Sequence, residues 1–241
     1  MSKLIEFIAP NTYLKSNPPL PKPIKLNIPE WFKHLQHTSK KMTVKGCMPF
    51  LDSLSTGYVL SLPQDFELVH NIIEDGKSHT FCRPSLPDER VGLNMNHKQN
   101  EQMHDAQQVL GSPLEKKNLN LPIHKILNPW IIKTPPGYSC LFVSPLNNAD
   151  DRFNIIPGIV DTDKFEFEIN FPFVVNGDKY PTLNTILKKG LPYVQIIPFK
   201  RDNWKMKVIK KTEKDDINFF KYLTRFYLEY RNKFWQKKQW R

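Results

Sequence analysis

The chain has 241 residues, enough for one domain with appendages and a sizeable core, and its 21 Pro against 9 Gly argue for short helices, extended edges and rigid loops. A formal net charge of +11, from 35 Lys+Arg and 24 Asp+Glu, suits nucleic acid, an anionic surface or an acidic partner subunit. Three scattered cysteines, Cys47, Cys82 and Cys140, exclude a disulfide framework and a structural zinc site and point to a reducing compartment, and no run of about 18 apolar residues offers a membrane span.

In chain order, the apolar piece before Pro10 is too short for a signal peptide. Within it Ile5, Phe7 and Ala9 share one face of a small strand, and Leu4, Glu6 and Ile8 share the other, so the first, wholly apolar face is expected to pack. Residues 16–23, SNPPLPKP, read as a polyproline-like arm across a surface. Pro29 opens a short helix through Trp31, Phe32 and Leu35, at a first-turn position that tolerates proline. These pieces make residues 1–43 an N-terminal strand, arm and helix, followed by a β-rich core over 44–210. Strands are expected at 57–62 and 65–70, interrupted near Pro63, and Asp75-Gly76 marks a hairpin turn between 67–73 and 79–83. The polar piece 95–113 has little period and reads as a loop or a short helix near 104–109. Its His97 and His104 lack carboxylate or cysteine partners at ligand spacing, so they read as a surface pair rather than a metal site. Across 134–200, short apolar segments rich in β-branched and aromatic residues are separated by turn signals at Gly137, Asn147-Asn148, Gly158, Gly177 and Gly190, which predicts strands throughout. Last comes a helix over about 215–238. There Phe219, Leu223, Phe226, Tyr230 and Phe234 form one aromatic stripe against a basic opposite face, and residues 211–241 make a basic, aromatic C-terminal unit. Residues 201–241 carry 13 Lys+Arg against 5 Asp+Glu, a local net of +8.

The segments VKGCMPFLDSLSTGYVLSLP at 44–63 and TPPGYS with PGIVDTD across 134–163 resemble an uncharacterised family of bacterial and tailed-phage proteins. In that family Cys-x-Pro is followed by a Gly-aromatic strand and later by TPPGW and G-[IV]-V-[ED]-T-D runs. The resemblance implies a phage origin and supplies no activity. A second one covers 134–200 alone and is to the β-clip fold of dUTPases and dCTP deaminases: PPGY at 135–138, GIVDTDKFEFEINF at 158–171 and ILKKGLPYVQIIPF at 186–199 follow the order of that family's strand motifs. It implies a mainly β, β-clip (dUTPase-like) barrel or sandwich of short strands, bearing the proline-rich N-terminal arm and one long C-terminal α-helix. It also implies a homo-oligomer, a trimer by analogy.

Residue by residue, Asp161 resembles the carboxylate that orients or deprotonates the attacking water in dUTPases, and Gln195 the glutamine near the phosphates. The phosphate-gripping loop appears as Ser144-Pro145-Leu146-Asn147-Asn148 without its Arg, whose planar fork grips phosphate in a way Asn cannot imitate. Lys164 stands where a Tyr would stack on the base, and Glu166 replaces a small Gly. An enzymatic reading therefore rests on Asp161 as general base, with Ser144, Asn147, Asn148, Asp163 and Gln195 as ligand candidates and Mg²⁺ as cofactor only if a nucleotide binds. The structural reading of the same residues is that Asp161 and Asp163 close a tight turn, Asn147-Asn148 turn a strand end, and Gln195 satisfies backbone groups.

Since the triphosphate-gripping groups are absent, the expected function is that of a non-enzymatic protein of a tailed phage, without cofactor, acting through protein–protein contacts in the host cytoplasm or the virion. Proline arms and an aromatic, basic end suit burial against other subunits. A nucleotide enzyme is the alternative. Nucleic-acid binding is a further one, with Arg225, Arg231, Lys233, Lys237 and Lys238 neutralising phosphates and Trp235 or Trp240 stacking on bases.

Overall fold

The computed structural model describes residues 3–38, 40–85, 103–212 and 230–241. Strand β1 (Glu6–Ile8) leads into helix α1 (Asn11–Lys15), strand β2 (Lys22–Pro23) and helices α2 (Glu30–His34) and α3 (Met48–Ser55). Proline sets both later helices: Pro29 caps α2, and Pro49 lies in the first turn of α3, where its missing N–H has no partner to lose. The remaining elements are β3 (Tyr58–Ser61), β4 (Phe66–Glu74), β5 (Lys77–Pro84), β6 (Met103–His104), α4 (Pro113–Lys117), β7 (Ile123–Ile126), β8 (Ile131–Lys133), β9 (Tyr138–Val143), β10 (Phe153–Ile155), β11 (Gly158–Val160), β12 (Phe171–Val175), β13 (Leu183–Leu187) and β14 (Pro192–Lys200).

Among the described residues the ladders are antiparallel and make four sheets: β1-β8, β10-β12-β7-β6, β11-β9-β14-β3-β2 and β13-β4-β5. One apolar cluster draws on all four. It includes Ile132 of β8, Phe171 and Phe173 of β12, Phe142 of β9, Val194 and Ile196 of β14, and Leu68 of β4. Ile5, Phe7 and Ala9 pack against this cluster, as the alternation at the N-terminus predicts, while Leu4 and Ile8 stay exposed. The hairpin expected at Asp75-Gly76 joins β4 to β5, with φ of 49° and 72° at the two turn residues, the left-handed conformation a two-residue hairpin loop requires. The proline arm ends by pairing Lys22 and Pro23 on the edge of β3.

Two expectations are corrected. The chain is mainly β, but a β-clip barrel is not what these strands form. The run 158–171 is strand only over Gly158–Val160 before it turns, and the run 186–199 is cut at Gly190 (φ 85°) into β13 and β14, which belong to different sheets. Local motif order reproduces turns and does not determine which strands pair. The long C-terminal helix is the second correction. Much of it lies outside the described residues; Tyr230–Phe234 is a single π-helical turn, and 235–241 are not helical. Trp235 turns onto Asp52 of α3 and Trp240 onto Tyr58 of β3. Five residues apart on a continuous α-helix they would point about 140° from one another, so a helix could not seat both. Among the described helices the longest is α3, with 8 residues.

Candidate functional site

Directly after β11 the chain turns, with the Lys164 and Phe165 amides each donating to the Asp161 carbonyl at 2.9 Å. The Asp161 carboxylate accepts from Ser139 Oγ at 2.6 Å and from Arg201 Nη1 at 3.3 Å, both on its Oδ1. Asp163 accepts from the Gly137 amide at 2.8 Å and from both arms of the Arg201 fork. That guanidinium holds the Asp163 carboxyl down at about 2. Arg201 thus closes β9, the turn after β11 and the end of β14 into one clamp. Asp161 gives its Oδ1 to this clamp, while its side chain stays 59 % exposed.

The structure gathers three of the other expected ligands around a cavity of about 170 Å³: Ser144, Asn147 and Asn148, together with Pro145, Asp150, Asp151, Phe153, Asn154, Pro192 and Tyr193. Each already commits a polar atom to the fold. Ser144 Oγ accepts the Ile155 amide at 2.8 Å, Asn147 sits at φ 56° and donates to Ser53 Oγ at 2.8 Å, and Asn148 Oδ1 accepts the Ala149 amide at 2.9 Å. Asp150 is paired with Arg152 at 2.7 Å, and Asp151 with Lys179 and Tyr180. With Arg152 and Lys179 each committed to a wall carboxylate, neither cation is left to grip a polyphosphate.

Asp161, Asp163 and Gln195 do not line this cavity. Gln195 is fully buried; its Oε1 accepts the Leu146 amide at 2.9 Å, and its Nε2 donates to the carbonyls of Ser53 at 3.1 Å and Thr56 at 2.8 Å. It ties β14 to the end of α3 and to the loop after β9. Gln195→Ala would strand one amide and two carbonyls in the interior, and the expected loss is about 3 kcal/mol of unfolding free energy in urea denaturation. A loss below about 1 kcal/mol would show that these groups find water or other partners.

At the C-terminus, Trp235 Nε1 donates to the two Asp52 carboxylate oxygens at 3.2 and 3.1 Å, Lys238 Nζ reaches Asp52 at 2.6 Å, and Trp240 meets the Tyr58 ring edge-on at 5.9 Å. The Tyr58 hydroxyl donates to the Arg241 carbonyl at 3.2 Å. Of the residues expected to touch nucleic acid, Trp235, Lys238 and Trp240 therefore anchor the chain's own end, whereas Arg231, Lys233 and Lys237 are exposed and Arg225 lies outside the described residues.

The feature that sequence reasoning missed lies between these sites. Residues 203–210 have no helix, strand or turn, and they make no hydrogen bond among the described residues. Trp204 is 91 % exposed, Met206 87 %, Val208 85 % and Ile209 73 %. In NWKMKVIKK the apolar side chains of Trp204, Met206 and Val208 alternate with Lys205 and Lys207, a period-two signal inside the stretch assigned to the β-rich core at 44–210. A second exposed apolar feature follows the Asp161 turn: Phe165 and Phe167 lie ring to ring at 5.7 Å, and Glu166 and Glu168 beside them are exposed.

His104 sits in β6, and His97 lies outside the described residues; among the described residues no group of three or more His, Cys, Asp or Glu is placed to hold a metal ion. Among the same residues no helix is long and apolar enough to cross a membrane. No protein-family model and no curated protein sequence matches the chain.

Proposed function

We propose that the chain is a non-enzymatic interaction protein of a tailed phage, a structural or accessory subunit working through protein–protein contacts in the host cytoplasm or the virion. The observation that carries this reading is the uncovered apolar side chains at Trp204, Met206, Val208 and Ile209. A water-soluble surface keeps contiguous apolar area small unless a partner covers it, and each such side chain contributes about 1.5–3 kcal/mol when fully buried. The phage attribution rests on the motifs at 44–63 and 134–163. The catalytic alternative is weakened by what its residues already do: Asp161 Oδ1 is bound to Ser139 and Arg201, and the cavity at Ser144 offers no cation that is not already paired with Asp150 or Asp151 among the described residues.

Thermal unfolding in the presence of deoxynucleoside triphosphates, with and without Mg²⁺, is expected to leave Tm unchanged. A nucleotide-dependent rise that disappears in Asp161→Ala would replace this reading with an enzymatic one.

A further inference from the structure

We propose that the basic arm at residues 203–210 of one copy docks on the acidic, aromatic strip at residues 165–168 of a second copy. The inference rests on the interaction reading above and names its partner. Both segments are two-faced. When extended, the arm puts Trp204, Met206 and Val208 on one side and Lys205 and Lys207 on the other. The strip places the Phe165 and Phe167 rings together and carries Glu166 and Glu168. Apolar meets apolar, and two lysines meet two glutamates. Each partner is uncovered in the single chain, where even Phe167 is 67 % exposed. Glu168 has no ion-pair partner among the described residues, and Glu166 shares only its Oε1 with Lys133, at 2.9 Å.

Backbone pairing has a place as well. β11, separated from the strip by the turn at 161–164, is the outermost strand of its sheet, with Gly158 and Ile159 exposed, so its free edge can accept an added strand. The arm's own amides and carbonyls are unpaired among the described residues. The two features are also neighbours. Arg201, at the root of the arm, is bonded to Asp161 and Asp163 at the root of the strip. Two copies facing each other can therefore exchange arms reciprocally, which yields a closed assembly rather than a filament. Like net charge on the two copies opposes approach only over about 8 Å at physiological salt, so the local complementarity decides the contact.

The test is sedimentation velocity of the full chain at physiological salt. The wild type is expected to self-associate. Lys205→Glu/Lys207→Glu and Glu166→Lys/Glu168→Lys are each expected to weaken association by about tenfold or more. An equimolar mixture of the two is expected to associate again, because each arm then finds a strip of opposite charge on the other variant. An arm folded onto its own chain could not be rescued by mixing. Trp204→Lys/Met206→Lys, at side chains almost wholly in solvent, is expected to leave the circular dichroism spectrum unchanged and abolish association, which keeps the test independent of whether the strip variant folds. A monomeric wild type, association that survives in the arm variants, or a mixture of folded variants that stays monomeric would each overturn the proposal. So would a monomer that binds DNA in a salt-sensitive way through Lys205 and Lys207. A monomer without such binding leaves the broader interaction reading standing, whereas nucleotide-dependent stabilisation removes that reading whatever the sedimentation shows.

Discussion

Gly57→Ala is expected to lower the free energy of unfolding by at least about 3 kcal/mol. Gly57 joins α3 to β3 at φ 81°, a conformation that costs an L-residue energy even in open space. Space is absent too: a Cβ there would lie 2.1 Å from the carbonyl oxygen of Ile196, in the middle of β14. That neighbour is backbone in the five-stranded sheet, so relief requires moving a strand that also pairs with β3 and β9. The Gly57 carbonyl in addition accepts the Ile24 amide at 3.0 Å, tying down the end of the proline arm. Gly76→Ala provides the comparison, since Gly76 has φ 72° with nothing within 4 Å, and strain alone predicts a loss of about 1 kcal/mol. Urea denaturation of both variants reads the difference, and equal losses would mean that the close approach to Ile196 is not felt.

Acidification from pH 6.5 to 4 is expected to cost the fold on the order of 3 kcal/mol for each of two buried imidazoles. His70 of β4 and His124 of β7 are both shielded from solvent, and burial pushes each down to about 4 from its ordinary 6.5. His70 further opposes protonation of His124. The Thr80 hydroxyl lies between them, 2.9 Å from His124 Nε2 and 3.4 Å from His70 Nδ1, and the Phe173 ring packs on His124 at 5.3 Å. Arg83, which is paired with Glu67 at 3.0 Å, and Lys125 line the cavity beside His124. With folded values below the unfolded one, the unfolded chain binds more protons between pH 4 and 6.5. The stabilisation is therefore complete above 6.5 and lost as pH falls toward 4. Asp163 acts in a lower window, below its ordinary value near 4, and does not obscure the effect. Urea midpoints across this range are expected to fall steeply in the wild type and much less in His70→Gln/His124→Gln; parallel curves would show that these rings are solvated.

What could be read in the sequence was local. Asp75-Gly76 announces its hairpin because a left-handed turn pair needs those residue types, and Ile5, Phe7 and Ala9 announce their face through a spacing of two. Pairing between distant strands carries no such mark. The run at 186–199 resembles one continuous strand, yet Gly190 divides it between two sheets whose partners, β4 for one half and β3 and β9 for the other, are set by the whole core. Phe219 to Phe234 have helical spacing, but the end of that segment is governed by Asp52, which lies 183 residues before Trp235. At the candidate site, the residue types at Asp161, Ser144 and Gln195 were legible, and their partners were not. A carboxylate after a strand looks alike whether it faces a water molecule or Arg201.

The anchoring of Trp235 and Lys238 on Asp52 has a consequence for the exposed stretch that begins after Arg201. Since the polypeptide is fastened at Arg201 to Asp163 and again at Trp235 and Lys238 to Asp52 of α3, the arm is tethered on both sides and is not a free tail. Closing a loop removes conformational freedom in advance, so less entropy remains to be lost when the arm is captured, and a weak contact holds better than the same peptide would by itself.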